Sequence, residues 1–366
     1  MMGNWKTCQL GDLITFQRGH DLPKSKMKGG IYPVVGSNGI IGYHDEYTTE
    51  GPSITIGRSG NVGKPFLYKG RSWSHNTSLY IREYKDIDPI FIYYFLQTLD
   101  LGNYAGGSAV PTLNRNHIHT LTVTVPVDKN EQRQIASVLS VLDDKIEQNT
   151  EINENLLQQL HQMYLHILGT SDMDILLGSV INTTSGGTPS RKHDEYYSDG
   201  SICWVKSKEL LSGYIHDTEE HSNELAVEKS SAKLLPTHSV LIAMYGATVG
   251  AYGIIAKPMT CNQAVCALLS NEKYPYTYLF QLACESQQKL INLAVGSAQQ
   301  NISQVLIKQL PIHQNFEAIH HFHSLAKPMH EEIESLQAEN AKLAAIRDSL
   351  LPKLMSGELD VSALDL

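Results

Sequence analysis

The stretch most suggestive of chemistry is GRSGNVGKP at 57–65, whose glycines and lysine invite comparison with a phosphate-cradling loop. The spacing argues against that reading. Five residues, not four, separate Gly57 from Gly63, and Pro65 stands where a Mg²⁺-binding hydroxyl should follow the lysine. A parallel stretch in the second half, MYGATVGAY at 244–252, has no lysine at all. Both read as β-turn scaffolds. The chain has neither a G-x-S-x-G elbow nor an H-E-x-x-H pair. It also lacks the glycine-rich strand–helix fingerprint of cofactor-binding methyltransferases and an Asn-Pro-Pro-aromatic motif. HHFH at 320–323 would put His320 and His323 on one helical face, but with no cysteine or carboxylate pattern around them, so surface histidines are expected. Five cysteines without a C-x-x-C pair predict reduced, mostly buried thiols. No catalytic residue, metal ligand or cofactor is expected.

What remains is recognition chemistry. In the first half the turns carry Asn38, Arg58, Asn61, His75, Asn76, Asn114, Arg115 and Asn116. In the second half they carry Ser190, Arg191, Lys192, Lys206, Lys208, Tyr245, Thr248, Asn262, Gln263, Gln299, Gln300 and Asn301. Arginine can pair bidentately with guanine, asparagine and glutamine with adenine, and lysine or serine with phosphate. Each alone reads as a turn former or a solvated side chain. Gathered at equivalent turns of two halves, they predict a shared binding face.

The elements that must position these residues occur twice. LGSVINTTSGGTP (177–189) echoes LGDLITFQRGHDLP (10–23), and LIAMYGATVGAYGII (241–255) falls on ITIGRSGNVGKPFLY (54–68) at an offset of 187. MTCNQAVCALL (259–269) falls on SWSHNTSLYIR (72–82), and GSAQQNISQVLIKQLPI (296–312) on GSAVPTLNRNHIHTLTV (107–123). The offset grows from 167 to 187, so the second globular part is longer, around Trp204 and Lys206 to Glu220. Strand-like alternation and tight Gly turns fill residues 32–68, a helix is expected over 88–101 and a closing strand over 121–126.

Each globular part is followed by a long heptad-patterned helix. From Glu131 to Leu168 there is no Gly or Pro, and Leu139, Leu142, Ile146, Leu156, Leu160, Met163 and Ile167 share a seam interrupted by Asn149 and Asn153. A rod of roughly 57 Å follows, and so amphipathic a rod needs a partner helix. Ile333, Leu336, Asn340, Leu343, Leu350 and Leu354 supply one, superposing on the first seam at a constant offset that puts Asn340 on Asn153. A seam asparagine costs stability and fixes register, which suits a spacer. Arg347 breaks the second seam, with Ile346 expected in its place, and Pro352 is expected to kink its end. The expected division is 1–128 and 172–313 for the globular domains, with 129–171 and 314–366 for the helices.

Net charge is −9, which at first sight disfavours nucleic acid, but residues 129–172 contribute −4 and 316–366 contribute −5. The acidity therefore lies on the helices, and the globular parts are neutral in sum. No apolar run reaches the roughly 20 residues of a membrane span, and the N-terminus does not read as a signal peptide, so a soluble cytoplasmic protein is expected.

The two-fold globular-plus-rod layout, with VDKNEQRQIASVLSVLDDKIE at 127–147, GSNGIIGY at 36–43, CNQAVCALL at 261–269 and RDSLLPKLMSGELDV at 347–361, resembles the specificity (S) subunits of type I restriction-modification systems. The resemblance covers essentially the whole chain. It implies an α+β fold: two similar mixed α/β target recognition domains joined by a long antiparallel two-helix coiled coil, with pseudo-two-fold internal symmetry. It further implies that each domain reads one half of a bipartite double-stranded DNA site and that the coiled coil sets their separation. Methyltransferase subunits, two in expectation, would dock on the chain and methylate adenine N6, with restriction endonuclease/translocase subunits joining them. Two other classes stay open at this point: an enzyme, which would need a metal or cofactor constellation, and a scaffold whose paired domains bind proteins.

Overall fold

The computed structural model describes residues 4–106, 111–169, 172–295 and 301–361, and its contacts group the chain into two units. Unit 1 comprises Met1–Ile146 with Lys342–Leu366, and unit 2 comprises Glu147–Ala341.

In unit 1 the strand Trp5–Gln9 pairs antiparallel with Thr122–Pro126, so the two ends of the globular part are stitched together. One helical turn, Leu10–Leu13, leads into a four-stranded antiparallel sheet. Its strands are β1 (Ile14–Arg18), β2 (Ser53–Gly57), β3 (Pro65–Tyr68) and β4 (Ser78–Tyr84), in the order β1-β4-β2-β3. Ile54 and Ile56 of β2 are fully buried, with Phe16, Leu79 and Ile81 beside them in one core. The helix Pro89–Gln97 joins that core through Phe91, Ile92 and Phe95. Its start is specified locally: Asp88 accepts from the N–H groups of Ile90 and Phe91 at 2.9 and 3.0 Å, and Pro89 occupies the first helical position, where no N–H is needed. A hairpin, Tyr32–Gly36 with Gly39–His44, runs parallel to the short strand Trp73–Ser74.

Unit 2 repeats this plan. Its central sheet holds β5 (Asn182–Ser185), β6 (Tyr214–Ile215), β7 (Val240–Ala243), β8 (Tyr252–Ile255) and β9 (Val265–Leu269), in the order β5-β9-β7-β8-β6. The first four positions match those of unit 1, and β6 is an added edge strand, parallel to β8. Ile202–Val205 pairs parallel with Thr260–Cys261, as Tyr32–Gly36 does with Trp73–Ser74. Helix Tyr276–Val295, 20 residues, stands where unit 1 has nine.

Pairing registers refine the repeat. Val34 pairs with Trp73 and Trp204 with Thr260, an offset of 204 − 34 = 170 in the first strand of each pair. Most of the extra length of unit 2 therefore lies after Val205, in the stretch that builds β6, the strand His221–Ser222 and the helix Glu224–Lys229. The expected offset of 187 is corrected in one strand. Ile54 faces Leu67 and Val240 faces Ile254, so β2 maps onto β7 at 240 − 54 = 186, while β3 maps onto β8 at 254 − 67 = 187. The glycine turn of unit 2 is one residue longer than that of unit 1. Because side chains alternate faces along a strand, a one-residue slip would have exchanged the two faces of β7. The aligned segments beginning GSA fall partly on 107–110 and 296–300, outside the described residues.

The two long helices are Lys129–Leu168 and Phe316–Met355, 40 residues each. The division between units falls inside both, so each unit owns a piece of each helix. In unit 2 they run antiparallel: Asn149 meets Asn340, and further along Tyr164 meets Phe322 with ring centroids 5.7 Å apart. Leu156, Leu160, Met163 and Ile167 pack into the unit 2 core with Ile333 and Ala326. In unit 1, Leu139 shares a core with Leu354 and Met355, while Leu142, Ile146 and Leu343 are half-buried.

One expectation about the second helix is corrected. Ile346 does not replace Arg347 in the seam, since it is 47% exposed. Arg347 keeps the position: its Nη1 donates to Asp143 Oδ1 at 2.6 Å, and Asp143 Oδ2 accepts from Tyr94 OH at 2.6 Å. An ion pair with two partners replaces an apolar contact there. The helix continues past Pro352 to Met355, and the Ser356 N–H bonds the Pro352 carbonyl at 3.0 Å. The same helix also runs through Pro328.

Candidate nucleic-acid interface

In unit 1 the predicted residues converge at one end of the central sheet, where β1 and β2 finish and β4 begins. Arg58 directly follows β2, and its N–H and that of Ser59 bond the Thr77 carbonyl, at 2.9 and 3.3 Å. The His75 N–H bonds the Val35 carbonyl at 2.8 Å, and the Ser37 N–H reaches Thr77 Oγ1 at 3.3 Å. These bonds bring the loops carrying Asn38, Arg58 with Asn61, and His75 with Asn76 together. The glycine turn allows the approach: a Cβ at Gly57 would strike the Asn61 carbonyl, and Gly63 has φ +81°, a left-handed conformation open to glycine.

The segment that begins at Thr112 closes the cluster, since the Leu113 N–H donates to the Arg58 carbonyl at 2.9 Å. Asn114 caps the short helix Arg115–His119 by accepting from the Asn116 N–H at 3.0 Å. At that helix's other end, His119 Nε2 accepts from the Phe16 N–H at 2.9 Å and its ring stacks on Phe16. Burial, and then the Arg115 cation, hold the His119 pKa below its ordinary value, in keeping with an unprotonated acceptor nitrogen. The helix is thereby pinned to β1, and Arg115 is aimed from its first turn.

An open cavity of about 470 Å³ results, lined by Arg18, Arg58, Arg115, Thr112, Asn114 and His117 with Leu79, Leu113 and Gly106. Among the described residues no carboxylate lines it. Among the described residues, the guanidinium groups of Arg18, Arg58 and Arg115 have no hydrogen-bond or ion-pair partner, and neither do the side chains of Asn38, Asn61 and Asn116. Arg18 and His117 were missed by the sequence reading. Arg18 precedes Arg58 by 40 positions (58 − 18), and only the β1-β4-β2 pairing makes them neighbours.

Unit 2 places its predicted residues at the equivalent end of its sheet, with a different electrostatic state. The Asn262 N–H bonds the Val205 carbonyl at 2.9 Å, as His75 does Val35, and the Ile302 N–H bonds Met244 at 2.9 Å, as Leu113 does Arg58. The buried Met244 thus stands where unit 1 has Arg58. Arg191 lies over the rings of Tyr197 and Trp204 at 4.3 and 5.4 Å and pairs with Glu220. Lys206, 5.6 Å over Trp204, also pairs with Glu220, and Lys208 pairs with Glu219 at 2.6 Å. The Lys206 and Arg191 cations hold the Glu220 carboxyl below its ordinary pKa, and Lys208 does the same for Glu219.

Other polar side chains serve the loops themselves. Asn262 accepts from the Ala264 N–H at 3.1 Å, Ser190 from Lys192 N–H at 3.3 Å, and Asn301 from Gly246 N–H at 3.4 Å. Gln263 accepts from Thr188, Thr248 donates to the Tyr245 carbonyl at 3.1 Å, Asn76 donates to Asp21, and His75 Nδ1 meets Thr77 Oγ1 at 3.0 Å. Lys192 and Tyr245 project with no side-chain partner among the described residues. Gln299 and Gln300 lie outside them.

On the helices, Asn149 Nδ2 donates to Asn340 Oδ1 at 2.9 Å and to Glu339 Oε2 at 2.6 Å, and Asn340 Nδ2 donates to Thr150 Oγ1 at 3.2 Å. Asn153 is buried, with its Oδ1 unpaired. Ile333 and Leu336 are buried, and Leu156 is partly buried. Of the histidine run, His320 and His321 are exposed while His323 Nδ1 meets Thr277 Oγ1 at 2.9 Å. No helix among the described residues is long and apolar enough to cross a membrane.

Two sheet-based heads of one plan, each presenting a loop face at the same sheet end, define a duplicated recognition protein. The family profile of the type I restriction modification DNA specificity domain matches residues 2–158 and again 173–313, and the chain belongs to that family. It is 26% identical over 310 residues to the type I restriction enzyme MjaIX specificity subunit of Methanocaldococcus jannaschii, covering 75% of this chain and 70% of that one. It is 24% identical over 204 residues to the EcoR124I/EcoR124II specificity subunit of Escherichia coli, covering 52% of this chain and 50% of that one. The crystal structure of a type I restriction-modification S subunit from M. genitalium superposes with a TM-score of 0.64 over 96% of both chains at 19% identity, which shows the shared fold.

Proposed function

We propose that this chain is the DNA-specificity subunit of a type I restriction-modification assembly, in which residues 1–128 and 172–313 each read one half of a bipartite duplex site. The supporting observation is the repeated sheet end, which carries the same loop scaffold with different side chains in the two units. Unlike loops on like scaffolds call for unlike half-sites. Arg58 and Arg115 are the foremost guanine or phosphate contacts in unit 1, with Arg18 beside them. In unit 2, Arg191 and Lys206 sit on aromatic rings that fix their direction.

The helices 129–171 and 314–366 act as the spacer and as the docking surface for methyltransferase subunits, which supply adenine-N6 methylation. Restriction endonuclease subunits join that core. Forty residues give a rod of about 60 Å. Inserting one heptad into each helix, at matched positions on either side of Asn149 and Asn340, lengthens the strut by about 10 Å, or about three base pairs. Mapping N6-methyladenine in a host carrying that variant is expected to return the same two half-sites with a wider gap. Altered half-sites, or an unchanged gap, would refute the spacer role.

A further inference from the structure

We infer that unit 2 contains a mononuclear site for a zinc-class divalent cation, formed by Cys203, Asp217 and His221. Cys203 lies on the strand Ile202–Val205 and His221 on the strand His221–Ser222, and the two are direct cross-strand partners. Asp217 lies in the connection between those strands and returns its carboxylate to the pair. Its Oδ1 is 3.2 Å from Cys203 Sγ and 2.7 Å from His221 Nε2, and the three ligand atoms all fall within 4.8 Å of one another.

Tetrahedral zinc with bonds of about 2.0–2.3 Å holds its ligand atoms about 3.3–3.8 Å apart. The triad comes close to that geometry: the Asp217–His221 contact must open by roughly half an ångström, and Cys203 Sγ and His221 Nε2, within 4.8 Å of each other, must settle at about 3.5 Å, movements within reach because Asp217 is exposed and His221 only half-buried. Cys203 closes the site from the core side, and the open side leaves the fourth position to water. One sulfur, one imidazole nitrogen and one carboxylate oxygen select zinc, cobalt or copper over magnesium and calcium, which prefer all-oxygen shells. On binding, Cys203 loses its proton to solvent. Its thiolate, the Asp217 carboxylate and neutral His221 each donate one electron pair, and the two negative charges balance the dication.

The site has a local consequence. The segment it would pin, 217–221, carries Glu219 and Glu220, the carboxylates that hold Lys208, Lys206 and Arg191. Cation binding would fix the orientation of that charge cluster. The metal site itself stands apart from any reading of what the cluster binds.

The test is cobalt(II) titration of the full chain, followed by absorption spectroscopy and by metal analysis after dialysis. The expected result is one cobalt per chain with a thiolate-to-cobalt charge-transfer band, lost in Cys203→Ser. His221→Ala, a change at a half-exposed position that leaves the core intact, is expected to weaken cobalt binding by at least about tenfold. Zinc should displace the cobalt stoichiometrically. A wild-type chain that binds no more cobalt than His221→Ala, or a charge-transfer band that survives in folded Cys203→Ser, would overturn the proposal. Because no DNA enters the measurement, its failure leaves the specificity role untouched.

Discussion

The contrast between the two faces makes a quantitative prediction about salt. In unit 1, Arg18, Arg58 and Arg115 line one cavity with no carboxylate partner, whereas in unit 2 Arg191, Lys206 and Lys208 are held by Glu219 and Glu220. Each phosphate neutralised contributes about −0.9 to the slope of log K against log salt. Replacing the three unit 1 arginines by glutamine should make the slope shallower by up to about 2.7. Between about 50 and 200 mM salt that corresponds to a loss of roughly 40-fold of the salt sensitivity. Replacing the three unit 2 cations removes three positive charges whose two carboxylates stay behind. Before replacement those carboxylates leave the cluster one net positive charge for phosphate, so the slope should change by about 0.9 or less. Conversely, Glu219→Gln with Glu220→Gln should steepen it by up to about 1.8. The assay is fluorescence anisotropy of a labelled target duplex, titrated at several salt concentrations with the methyltransferase subunit present. Equal slope changes for the two triple variants, or an unchanged slope for the unit 1 variant, would refute the argument that unpaired arginines make the phosphate contacts.

Arg347→Ala should destabilise unit 1 by on the order of 1–3 kcal/mol, because it strands the half-buried Asp143 beside Tyr94, and Asp143→Asn should recover part of that loss; denaturation of the double-mutant cycle measures the coupling. Asn149→Leu combined with Asn340→Leu should raise the thermal midpoint, since a buried asparagine with an unpaired Oδ1 costs stability for register, and a lower midpoint would show that the polar pair is net stabilising. His330 is buried, its Nδ1 meets Tyr214 OH at 3.1 Å and its Nε2 has no partner, and burial pushes its pKa down to about 3. Its folded pKa lies below the unfolded value of about 6.5, so the neutral ring stabilises the fold fully above that pH, and the contribution falls away as pH drops toward 3. Melting curves from about pH 7 to about pH 4 should therefore fall less steeply for His330→Phe than for the parent chain, and parallel curves would count against the burial argument.

The sequence alone determined the periodic and local features. Heptad spacing specified both long helices, because an amphipathic stripe recurring every three to four residues has no other way to be buried. The glycine turns and the repeated order of motifs specified two heads of one plan, since turn chemistry is written in adjacent residues. Tertiary structure alone decided which cations are free. Arg58 and Lys206 look alike as basic residues following a strand, yet one faces a cavity without carboxylates and the other meets Glu220, 14 positions on, through a connection whose path no local pattern encodes. It also decided that β2 and β7 align at 186 and not 187, that Arg347 keeps its seam position through Asp143, and that Cys203, Asp217 and His221 meet. Each of these depends on strand register or on contacts between residues far apart in the chain. Periodicity constrains which face a residue takes, and only the folded chain fixes what lies opposite it.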